Sequence, residues 1–142
     1  MYLFALLFDT GLLVLIWLVQ LVIYPGLKHY SLKNLKKWHR SYTKRITVVV
    51  LPLMFGQLLF TTLLAIKVFD TLNTIKLLMV ITAWVLTFSI FVPLHGNIEN
   101  TNENEAITKK LVVRNWSRTI LWSLIFTIGL IRILTLDQSW PL

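Results

Sequence analysis

The sequence predicts an all-α integral membrane protein, an up-down bundle of four spanning helices with both termini on the non-cytoplasmic side. Three observations predict it. Of 142 residues, 56% are hydrophobic and 14% charged, where a soluble domain carries about a quarter charged. Four apolar runs are each long enough to cross a hydrocarbon core of about 30 Å. The basic residues gather in two of the connecting segments, which share one side of the membrane only if successive runs alternate in direction. Composition excludes a soluble globular enzyme and a disordered chain. The length suits one domain, residues 1–142. Cysteine is absent, so the chain has no disulfide, thiolate ligand or Cys nucleophile.

The first helix is predicted over about residues 2–24. No basic segment precedes it and no small-residue cleavage site follows, so it reads as a retained helix rather than a signal peptide. Pro25-Gly26 is expected to end it. Next, Leu32, Leu35 and Trp38 fall at helical spacing after Ser31, which predicts a short basic helix lying in the membrane interface. The second helix is predicted over about 46–66, with Pro52 expected to kink it. A short polar turn makes the second and third helices antiparallel neighbours. The third is predicted over about 75–94, with Lys76 snorkelling outward and Pro93 ending it. Gly96 to Asn104 is a polar, Asn-rich loop, and Ala106 to Val113 suggests a second interfacial helix. The fourth helix is predicted over about 117–136, and the tail Asp137–Pro141 reads as a cap at the outer interface.

Of the 14 Lys and Arg, 11 lie in segments 25–45 and 95–118. The positive-inside rule makes both segments cytoplasmic, in what the sequence suggests is a bacterial inner membrane. The net charge of +8 would suggest nucleic acid in a soluble protein, but no recognition motif accompanies it. The expected partners are anionic lipid headgroups at the basic loops, and either further copies of the chain or a larger membrane complex. Nucleic acid is not among them.

Polar residues inside spanning segments are costly and default to functional candidates. Asp9 and Arg132 both fall in the outer half, which predicts a structural ion pair between them. Gln20, Gln57 and Thr61 read as interhelical hydrogen bonds.

The richer pattern is cytoplasmic. Helix ends there carry Tyr24, His39, Arg40, His95, Asn97, Asn115, Trp116 and Arg118. Asn115, Arg118, Thr119 and Trp122 stand at i, i+3, i+4 and i+7, one helical face too polar for lipid. His95, Arg118, Asn115 and His39 are the candidate catalytic residues. Asn97, Thr119, Trp116, Trp122 and Tyr24 are the candidate substrate contacts. Imidazole serves as a general base, and Arg with Asn donors holds an oxyanion such as a phenolate. The plainer reading makes Trp116 and Trp122 interface anchors, Arg118 a topology charge, and His29 and His39 ordinary interfacial residues. No metal site is predicted, since two His without a carboxylate or a third His are a weak ligand set. No cofactor is expected, although a bis-His haem or a quinone is geometrically conceivable.

Val92-Pro93-Leu94, Asn115-Trp116-Ser117-Arg118-Thr119 and Tyr24-Pro25 carry a resemblance. With them the chain resembles the anthrone-oxygenase-like family, small four-helix membrane proteins mostly without an assigned reaction. The family tends to show Val-Pro-Leu at the end of its third helix and Asn-x-x-Arg-Thr at the start of its fourth. Phe91 and His95 flank Val-Pro-Leu here, where the family often has Asn. The resemblance implies a site at Asn115, Arg118 and Thr119, and oxygenation of a phenolic polycycle without a tightly bound cofactor. The sequence thus frames two functions: a membrane oxidoreductase or oxygenase acting on a phenol- or quinol-like amphipath, or a non-enzymatic accessory, assembly or lipid-binding subunit.

Overall fold

The computed structural model describes residues 1–94, Gly96 and 104–137. His95, Asn97, most of the Asn-rich loop and the tail from 138 onward lie outside the described residues. Four helical rods form the molecule. The first, α1, runs from Tyr2 to Leu18 and continues through a π turn (Val19–Ile23), one α turn (Tyr24–Gly26) and a 3-10 turn ending at His29. The second, α2, is Leu32–Lys67. The third, α3, is Thr71–Leu86, extended by a π turn at Thr87–Phe91 and helical through Leu94. The fourth, α4, is Asn104–Asp137. All four are long and apolar enough to cross a membrane.

Several boundaries differ from the sequence reading. The basic stretch after Ser31 is not a separate interfacial helix, because α2 is one rod of 36 residues that carries it. Likewise the stretch Ala106–Val113 belongs to α4, a rod of 34 residues. The cause in α2 is side-chain periodicity. Leu35 and His39 are buried and Tyr42, Ile46 and Val50 partly so, on one stripe that continues from the basic turns into the apolar ones. Pro52 does not interrupt α2.

Neither Pro25 nor Pro93 ends its helix. Each stands two residues beyond a π turn, Val19–Ile23 in one case and Thr87–Phe91 in the other. A proline lacks the N–H for its own helical bond and its ring presses on the carbonyl four residues back. A widened turn just before it accommodates both defects and lets the rod continue.

The rods pack as a ring, α1 against α2 and α4, and α3 against α2 and α4. Gly56 permits close approach of α1 and α2, since a Cβ there would stand 2.2 Å from Cε1 of Phe8. Two apolar clusters fill the bundle. One gathers Val19, Tyr24, Leu27, Leu35, Phe91, Leu94 and Leu111 at the ends of α1 and α3 and the basic starts of α2 and α4. The other gathers Leu12, Ile16, Met54, Val80, Ala83, Trp122 and Ile125 deeper in. The outer faces remain apolar, with Leu7, Leu21, Val48, Phe55, Leu59, Ile66, Leu78 and Ile120 all exposed. Such surface is too extensive for water and suits lipid.

Candidate functional site

Between the two apolar clusters lies a cavity of about 340 Å³. Its walls are mostly aliphatic or aromatic: Leu12, Ile16 and Val19 from α1, Ile46 and Val50 from α2, and Phe91 and Val92 from α3. Its polar lining comes from Tyr24, His39, Tyr42, Thr43, Thr47, Thr87 and Arg118. Both π turns border it, through Val19 of the first, which leads into Tyr24 directly after the turn, and through Thr87 and Phe91 of the second. Irregular turns of this kind re-aim side chains and recur at functional sites.

Arg118 dominates the electrostatics. It is 8% exposed, and its guanidinium carbon lies 4.2 Å from the centre of the Phe91 ring and 5.1 Å from that of Trp122. Its guanidinium donates a hydrogen bond to the Tyr24 hydroxyl. Its Nε has no hydrogen-bond partner among the described residues. Among the described residues the ion pairs involve Asp9 and Asp70, so no described carboxylate neutralises Arg118. Ring faces partly offset the desolvation of a cation, and a buried charge without a counter-ion is otherwise expensive. His39 is 2% exposed and lies with Arg118 on this cavity, its ring centre 6.4 Å from that of Tyr42.

Of the residues chosen from sequence, Tyr24, His39, Arg118 and Trp122 meet at the cavity. His95 and Asn97 lie outside the described residues. Asn115 and Thr119 do not line the cavity; they tie α4 to α1. The amide of Asn115 donates to Oε1 of Gln20 at 2.9 Å, the hydroxyl of Thr119 donates to the same oxygen at 3.3 Å, and Nε2 of Gln20 donates to the carbonyl of Val112 at 3.2 Å. Trp116 is 41% exposed and packs edge-on against Trp17 on the lipid-facing side, away from the cavity. Sequence reasoning missed Tyr42, Thr43 and Phe91. The stripe His39, Tyr42, Thr43, Ile46, at i, i+3, i+4 and i+7, would have revealed the first two, had the basic segment been read as the start of α2.

The expected Asp9–Arg132 pair does not form. Asp9 faces the centre of the bundle and accepts from Lys76 Nζ at 2.5 Å and from Nε2 of Gln57 at 2.8 Å. Arg132 pairs instead with Asp70, which also caps α3 by accepting from the backbone N–H of Asn73. Lys76 does not snorkel; it is on the buried stripe Asn73, Lys76, Val80, Ala83 of α3. Gly129 of α4 opens the space, because a Cβ there would lie 2.8 Å from Oδ2 of Asp9 and 2.9 Å from Nζ of Lys76. The indole N–H of Trp122 donates to Oε1 of Gln57 at 3.2 Å. A continuous set of contacts therefore runs from the ion pair through Gln57 and Trp122 to Arg118. Gln57 bridges helices as expected, while the buried Oγ1 of Thr61 has no hydrogen-bond partner among the described residues.

Among the described residues no group of three His, Cys, Asp or Glu side chains is arranged to hold a metal ion. Compared with known proteins, the chain matches no family model, no curated protein and no solved structure.

Proposed function

We propose that the protein binds an amphipathic phenol or quinol in the cavity beside Arg118 and acts on it as a membrane oxidoreductase without a tightly bound cofactor. The observation that carries this reading is the buried Arg118 guanidinium, without a described carboxylate partner, beside His39 and Tyr24 in a mostly apolar cavity. The ring and its apolar substituents lie against Leu12, Ile16, Val50 and Phe91. The oxygen faces Arg118 and Tyr24. An imidazole nitrogen of His39 accepts the phenolic proton, and the guanidinium holds the phenolate that results. With a quinol and dioxygen the balanced reaction gives quinone and hydrogen peroxide, two electrons and two protons passing to oxygen. The resemblance to the anthrone-oxygenase-like family supports the substrate class. The basic starts of α2 and α4 support a cytoplasmic site, an up-down topology and termini on the opposite face of a bacterial inner membrane.

A second reading, a non-enzymatic binding or accessory subunit, is favoured by one observation. Asn115, an expected oxyanion donor, and Thr119, an expected substrate contact, are engaged with Gln20. One experiment separates the two. The protein in detergent is titrated with a short-chain quinol, following Trp fluorescence, and peroxide is measured in air. The expected result is saturable binding that Arg118→Gln weakens at least about tenfold, with peroxide formation that His39→Ala abolishes. Unchanged affinity in the Arg118 variant overturns the site. Binding without peroxide overturns the oxidoreductase and leaves the accessory subunit.

A further inference from the structure

A second cavity, of about 910 Å³, opens on the other side of Tyr24. It lies between the turn that ends α1 and the early turns of α4. Pro25, Lys28, His29 and Tyr30 line it from the turn, and Thr108, Lys109, Val112 and Val113 from α4. Two ammonium groups and an imidazole therefore face one space, and none of the described lining residues is acidic. Lys28 and Lys109 are both exposed, so neither pays the desolvation cost that Arg118 does. The cavity marks the boundary between two kinds of surface. Toward the middle of the bundle, α1 and α4 present Leu21, Val22, Val113 and Ile120 outward. Beyond it the chain carries Lys28, Lys109 and Lys110. In a spanning protein that boundary is the headgroup level.

We propose that this cavity is a binding site for the phosphate of an anionic membrane phospholipid, distinct from the Arg118 cavity and independent of what that cavity does. Lys28 and Lys109 hold the phosphate from two different elements, and Tyr30 and Thr108 supply polar surface around it. The glycerol and the first acyl carbons run along Pro25, Val112 and Val113. Selectivity follows from charge. A zwitterionic headgroup would bring its own ammonium toward Lys28, His29 and Lys109, whereas phosphatidylglycerol brings only the phosphate charge and hydroxyls. Basic recesses between spanning helices on the positive side suit this chemistry.

The test is native mass spectrometry of the full chain, exchanged against phosphatidylglycerol or phosphatidylcholine of matched acyl chains. The parent is expected to retain one phosphatidylglycerol preferentially. Lys28→Gln with Lys109→Gln is expected to reduce that preference about thirty-fold, each ammonium contributing about fivefold. Lys33→Gln with Lys37→Gln removes the same charge from exposed positions on α2 and is expected to change it less than about threefold. Equal losses in the two double variants would reduce the effect to general attraction and overturn the site. So would a parent without headgroup preference. Inorganic phosphate at the same concentration is expected not to displace the lipid; full displacement would make the site one for free phosphate and overturn the lipid assignment.

Discussion

At the scale of single residues, the buried ion pair Asp9–Lys76 explains choices that look arbitrary in the sequence. A carboxylate in the middle of an apolar helix demands a partner, and that demand was legible. Which partner it takes was not, because that depends on the rotation of α3, which puts Lys76 inward with Asn73, Val80 and Ala83. Arg132 was free to take Asp70 at the start of α3 instead. Removing one member of the central pair strands the other charge. Lys76→Met is therefore expected to cost about 3–5 kcal/mol, and Asp9→Leu with Lys76→Met to cost less than Lys76→Met alone. Thermal unfolding in detergent of the two variants measures this, and a double variant worse than the single would show that the charges do not act as a pair. Gly129→Ala tests the same cluster from the third side. The new methyl would sit inside the contact distance of both charges, so a loss of about 1–3 kcal/mol is expected. A fully stable Gly129→Ala would mean that the pair separates at little cost.

At the scale of elements, the four apolar runs were legible and the rod ends were not. The periodicity of Leu35, His39, Tyr42 and Ile46 crosses the polarity change at Arg45, and burial follows periodicity rather than polarity. Pro25 and Pro93 looked like stops, yet a π turn before each absorbs the missing N–H. Tyr24 directly follows the first π turn and Phe91 ends the second, and both line the cavity with Arg118, so the element-level misreading hid part of the site. Continuity of α2 is itself testable. Ser41 is exposed, between His39 and Tyr42. Ser41→Pro would remove the bond to the carbonyl of Lys37 and cost about 3 kcal/mol at that turn. Quinol affinity is expected to fall at least about tenfold, because His39 and Leu35 lose their register with the apolar turns, while Ser41→Ala leaves it unchanged. Equal affinities in both variants would mean that the basic turns fold independently of the span.

At the scale of the whole molecule, two polar contacts cross the ring, while the apolar contacts and further polar ones, such as Asn115 to Gln20, join neighbouring rods. Asp9 of α1 reaches Lys76 of α3, and Trp122 of α4 reaches Gln57 of α2. Both diagonals thus meet at the bundle centre, and bundle registry and cavity shape depend on them together. Length gives the molecule its polarity. At 1.5 Å per residue α2 is about 54 Å long, against a hydrocarbon core of about 30 Å. The excess falls on the end that carries Lys33, Lys36, Lys37, Arg40, Lys44 and Arg45. The opposite end turns back within a few residues, from Lys67 to Thr71, with Phe69 at its tip 88% exposed. By the positive-inside rule, charge asymmetry of this size predicts one orientation, the one proposed above. Because the chain has no cysteine, single cysteines report that orientation without background. Phe69→Cys is expected to react with a membrane-impermeant maleimide added to intact spheroplasts. Lys37→Cys is expected to react only after permeabilisation. The reverse pattern would put the Arg118 cavity on the outer face, and its substrate would then have to be supplied from outside the cell. Labelling of both positions in intact spheroplasts would mean that the chain inserts both ways, and that its basic rods do not govern its topology.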